Sequence, residues 1–163
     1  MRRSEPFRRD DDGFAVALPT PARDLLVNVA EQMREVITGE TADDDPAVAR
    51  LFPPAYLDDP MRSIEFEHVA GGELHNDRLE RFDVLVRTAH ARWLTDTQML
   101  DWMRAINDAR IVLGVRLGVT EDMSFEDVDE ADDDPERTQA FQTYAYLSAL
   151  LETIVHALGD PVD

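Results

Sequence analysis

The stretch Trp102–Asp122, WMRAINDARIVLGVRLGVTED, decides the fold. Trp102, Met103, Ile106, Leu113 and Leu117 continue an apolar pattern from Met99 at helical spacing, so the stretch reads as an amphipathic helix ended by Gly118 and Thr120. Arg110 and Arg116 stand around Gly114 and Gly118, without the paired acids, nucleophile or metal ligands of an active site. It is a packing and docking surface.

Two glycines one turn apart let another backbone approach closely. The first reading of Gly114-x-x-x-Gly118 is a crossing with another helix of the same chain, Gly118 also serving as the helix C-terminal cap. The alternative is a homodimer seam. Asn107 lies on one face with Arg104, and Asp108 can pair with Arg104 one turn back. Either this is a helix-surface ladder, or Arg104, Asn107 and Arg110 offer donors to a partner's carboxylates.

Outward from this helix, the same punctuation recurs. Thr95-x-x-Gln98 is a capping box for its start. Thr20-Pro21 reads as an N-cap and first-turn proline for a helix over about 21–38, carrying Leu25, Leu26, Val29, Met33, Val36 and Ile37. Asp45-Pro46, Asp59-Pro60 and Asp134-Pro135 repeat the signal. The first opens a short helix stopped by Pro53-Pro54, and the second a segment with Ile64, Phe66 and Val69 that Gly71-Gly72 breaks. A helix over about 74–93 carries Leu79, Phe82, Leu85, Val86, Ala89 and Trp93, and a last one over about 135–158 has a wide apolar face. At the N-terminus, Phe7–Arg9 and Phe14–Leu18 flank Asp10-Asp11-Asp12-Gly13 as a β-hairpin, marginal unless it lies on the helices.

The expected architecture is a single mainly α domain over 1–163: a four-to-six-helix bundle with a short N-terminal β-hairpin in 1–19. Its large core anchors are Phe82, Trp93, Trp102 and Tyr144. The hydrophobic share, 44%, is enough to build that core without crosslinks.

Charge narrows the partners. Sixteen cations, all arginine, face 35 acids, and the formal charge is −19. Ten of the acids fall in 121–136, where no cation intervenes, so residues 121–134 read as an extended acidic loop ending in Asp132, Asp133 and Asp134. Such a surface repels phosphate backbones and anionic lipid and favours basic proteins. The arginines on helices suit intramolecular carboxylate pairing. Without cysteine there is no disulfide, thiolate metal site or thiol switch. No apolar run reaches the roughly 18 residues of a membrane span and no signal peptide opens the chain, so a cytoplasmic protein is expected.

Catalytic constellations are weak. Glu65-x-x-His68 has the spacing of a di-iron helix but no second copy; Glu152 and His156 are four apart, and Gly71-Gly72 separates His68 from His75. Ser4, Ser63, Ser124 and Ser148 sit in no nucleophile elbow, and there is no P-loop lysine. The chain therefore reads as a non-enzyme with no cofactor or metal, a metalloenzyme being the least favoured alternative.

Asn107–Asp122, NDARIVLGVRLGVTED, together with Asp45–Tyr56, DPAVARLFPPAY, and the Phe-Arg-Arg…Gly-Phe hairpin, resembles an actinobacterial family of uncharacterised domains that includes AosR-type oxidative-stress transcriptional regulators. The resemblance spans nearly the whole chain. It implies a helical regulator, encoded near the ClpS protease adaptor, that modulates transcription by contacting a sigma factor or RNA polymerase. An adaptor in ClpS-linked proteolysis and a direct DNA-binding regulator are the alternatives. Cysteine-dependent sensing does not carry over to a chain without a thiol.

Overall fold

A computed structural model describes residues 5–39, 45–51, 76–119 and 134–159. Five helices and a small antiparallel sheet make up these residues, as the sequence pattern requires. Strands β1 (Phe7–Arg9) and β2 (Phe14–Val16) form the expected hairpin, with Phe7 opposite Val16 and Arg9 opposite Phe14. A third strand, β3 (Trp93–Leu94), adds to β2 with Phe14 opposite Leu94, giving the order β1-β2-β3. Alternation sorts the sheet: Phe7, Phe14, Val16 and Leu94 are buried, while Arg8 and Trp93 face solvent.

The helices are α1 (Thr20–Thr38), α2 (Pro46–Ala49), α3 over 76–88, α4 (Asp96–Leu117) and α5 (Pro135–Gly159). Helix α4 is the axis. Helices α1, α2 and α5 pack against it, and α5 also carries β1. Its Thr95 hydroxyl accepts from the Gln98 N–H at 3.1 Å while the Gln98 side chain accepts from the Thr95 N–H at 3.0 Å, the reciprocal box expected. Asp45 caps α2 by accepting from the Ala47 N–H.

Trp102 is fully buried at the centre. Phe7 meets it edge to face at 6.1 Å, and its indole N–H donates to the Thr88 hydroxyl at 2.7 Å, which itself donates to the Val84 carbonyl. Its polar atom is therefore satisfied by α3, and the ring's full apolar area contributes, at roughly 1.5–3 kcal/mol for a large buried side chain. Phe14, Phe82, Leu26 and Ile106 complete this core.

Four expectations are corrected. The cap of α1 is Pro19, whose carbonyl accepts from the Ala22 and Arg23 N–H groups, and Thr20 is already helical. The helix expected over 74–93 ends at 88. Arg23 is the cause: its guanidinium takes the Ala89 carbonyl at 2.9 Å and the Ala91 carbonyl at 2.6 Å, along with those of Leu18 and Val16. The Ala91 N–H closes a turn onto the Thr88 carbonyl, and the chain leaves extended toward β2. Trp93, expected as a core anchor, is thus a strand residue 39% exposed. Tyr144 is half-buried in a satellite cluster with Leu117 and Phe141. The segment opened by Asp59-Pro60 lies outside the described residues.

Candidate interaction surface

The C-terminal end of α4 closes on itself. Gly118 sits at φ 68°, the left-handed conformation that glycine adopts without a Cβ penalty. The Val119 N–H then reaches the Gly114 carbonyl at 2.9 Å and the Gly118 N–H the Val115 carbonyl at 3.2 Å, a Schellman cap. Arg137 of α5 donates to the Leu117 carbonyl at 3.0 Å and covers the Phe141 ring. The helix terminus is thereby neutralised within the chain.

Gly114 serves the intrachain crossing. A Cβ there would lie 3.1 Å from the Tyr144 ring, so α5 occupies the approach that the glycine opens. The seam considered for a second copy is filled at this point by Tyr144.

Several arginines on this surface are also engaged internally. Asp108 pairs with Arg78 at 2.5 Å and not with Arg104, because Asp108 turns inward beside Ala105 and Val112 while Arg104 points to solvent. Arg78 also donates to the Leu51 carbonyl at 2.6 Å, joining α2, α3 and α4. Burial pushes the Asp108 carboxyl above its ordinary value, outweighing the pull of Arg78. Arg110 donates to the Asn107 side-chain oxygen at 3.2 Å. Arg116 reaches Asp45 at 2.8 Å, and that hydrogen bond, with the Ala47 N–H, holds the Asp45 carboxyl below its usual range. Asp134 caps α5 by accepting from the Glu136 N–H, whereas Asp132 and Asp133 lie outside the described residues.

A feature not read from the sequence lies beside Arg116. Helices α1 and α5 flank a groove of about 360 Å³ floored by α4. Leu25, Val29 and Val36 line it from α1, Leu113 from α4, and Ala140 from α5, all half-buried, with Met33, Val112 and Leu147 buried beneath. Asn28, Gln32, Gln139 and Thr143 supply amide and hydroxyl groups, and Glu136 stands at the rim. The volume falls in the range of ligand and docking sites, roughly 300–1,000 Å³. The signal was present as the i, i+3, i+4, i+7 spacing of 25, 28, 29, 32 and 36, but periodicity does not distinguish an apolar stripe that is covered from one that is left open.

Glu65, His68, His75, Ser4, Ser63 and Ser124 lie outside the described residues. Among the described residues no group of three or more potential ligands could hold a metal, and no helix is long and apolar enough to cross a membrane. Glu152 and His156 line a smaller cavity of about 290 Å³ with Glu5 and Phe7. The Ser148 hydroxyl is buried within α5 with no hydrogen-bond partner among the described residues.

Over residues 1–158 the chain matches the model of the family described as a domain of unknown function, DUF2017, and it belongs to that family. No curated protein and no solved structure matches it.

Proposed function

We propose that this DUF2017 protein is a non-enzymatic regulator that works by docking onto a basic protein surface, and that the surface belongs to a sigma factor or RNA polymerase. One observation carries the reading. The chain is strongly acidic, and two of its arginines are spent inside the fold, Arg23 on carbonyls and Arg78 on Asp108. Cations used as internal ties offset little of the acidic field at the surface, which favours positively charged partners and disfavours phosphate backbones. The resemblance to AosR-type regulators supplies the choice of the transcription machinery over other basic partners.

Equilibrium binding of the purified chain to a purified sigma factor and to core RNA polymerase tests this. Affinity is expected to fall steeply with added salt, as it does when exposed charges carry an association. Binding that ignores salt, or tight binding of the chain alone to duplex DNA, refutes the reading.

A further inference from the structure

We infer that the groove between α1, α4 and α5 receives an amphipathic helix of a partner protein, about three turns long, apolar on the buried face and cationic on its flanks. This rests on the basic-partner reading above and names the surface that does the work.

Length comes first. The α1 wall runs from Leu25 to Val36 and the α5 wall from Glu136 to Leu147, eleven residue steps each. At 1.5 Å per residue both walls are about 16 Å long, or about three helical turns. Two walls of one length over a helical floor suit a rod-shaped occupant.

The lining suits such an occupant. Val29, Val36 and Leu113 keep methyl groups partly open to the groove, and Ala140, half-buried, is small enough to let a backbone come close. A helix with apolar residues at i, i+3, i+4 and i+7 would fill these positions, the mode by which grooves capture helical segments.

Charge selects the flanks. Glu31 and Glu35 are exposed on the edge of α1 beside Asn28, and Glu136 is exposed on the α5 rim. Arg116, the cation that lines the groove, is held by Asp45. An approaching helix therefore meets two exposed acids beside the α1 wall and one at the start of the α5 wall, and lysines or arginines beside its apolar stripe complement them.

The test uses two synthetic peptides of about 14 residues with one composition of Leu, Ala and Lys, one spaced to form a single apolar stripe and one shuffled to scatter it. Methyl NMR of the full chain reads the site. The striped peptide is expected to bind at least about tenfold more tightly than the shuffled one and to shift the methyls of Val29, Val36 and Leu113. Val29→Glu is expected to remove that preference. Glu35→Lys, at an exposed position, is expected to weaken the striped peptide without disturbing the fold. If both peptides bind alike and the groove methyls stay still, the groove inference falls while the basic-partner reading stands. If neither binds, the groove inference falls, and the salt-dependent binding to sigma factor and polymerase decides the basic-partner reading separately. Concentration-dependent shifts of the same methyls without peptide would show a second copy in the groove and overturn the inference.

Discussion

Replacing Arg23 with Met is the sharpest test of how this fold is held. The guanidinium is buried at 7% exposure and donates to four backbone carbonyls: Val16 at 3.2 Å, Leu18 at 2.9 Å, Ala89 at 2.9 Å and Ala91 at 2.6 Å. The bonds to Val16 and Ala89 are fully buried, and those to Leu18 and Ala91 partly so. Met fills a similar volume but strands the two buried acceptors, at about 1–3 kcal/mol each, while water can reach the other two. Relief from desolvating a guanidinium offsets part of this, which places the net loss near the low end, about 3 kcal/mol. For a chain of this size that is about 6–12 °C in Tm. Urea unfolding followed by circular dichroism measures it. Arg34→Met is the control: its ion pair with Asp83 is exposed, 47% and 42%, so its loss should stay within about 0.5 kcal/mol. Arg23→Lys keeps the charge and loses the planar fork, and should recover less than half of the stability. A Met variant within about 1 kcal/mol of the parent, or a Lys variant equal to it, would refute the account of why α3 ends where it does.

Gly118→Ala should cost about 1 kcal/mol, because alanine must adopt φ 68° to keep the Schellman cap, and thermal melts with Gly118→Asn as the milder variant measure it. Thr95→Ala removes one half of the capping box and should cost about 1 kcal/mol in the same assay. Asp108 and Asp45 should give opposite pH signatures. Asp108 is raised above 3.8 by burial, so the folded state holds its proton more tightly; its contribution is fullest below 3.8 and is lost as pH rises through the raised value, a slope that Asp108→Asn should remove from Tm measured against pH. Asp45 is held below 3.8 by Arg116, so its contribution is present above 3.8 and lost as pH falls through the lowered value, and Asp45→Asn should abolish that acid-side loss.

Local signals were legible wherever they act within one turn of chain. The Thr95 capping box, the Asp45 cap, the Gly118 cap and the Phe7–Val16 hairpin depend on residues no more than ten apart, and each is found where spacing placed it. Apart from the α1 cap, which falls one residue before the expected Thr20, the failures have one cause. Trp93 continues the helical pattern of α3, and only a guanidinium 66 residues earlier in the chain diverts the backbone into a strand before that residue. Asp108 likewise has Arg104 within helical reach, yet takes Arg78, 30 residues away, because it faces inward. The groove escaped for the same reason. Whether Val29 and Val36 meet a neighbour depends on how α1 and α5 settle on α4, a tertiary property that no single-helix pattern contains.

Four of the sixteen arginines do what a lysine could not. Arg23 spans four carbonyls, Arg78 a carboxylate and a carbonyl, Arg137 a carbonyl and the Phe141 ring, and Arg9 the Asp96 carboxylate and the Phe14 ring. Each needs a rigid, multi-pronged donor or a flat cation that can stack, and a compact ammonium supplies neither. Ties of this kind draw the positive charge toward helix ends and junctions, where it fixes one element against another. Among the described residues most of the acids are exposed, Asp108 being the buried one. Internal bracing and an acidic exterior are two sides of one arrangement, and on the function proposed above an exterior of that sign would steer the chain toward positively charged proteins. On the same proposal the groove would add what charge alone lacks: a shaped apolar floor that selects one basic segment over another by the spacing of its side chains.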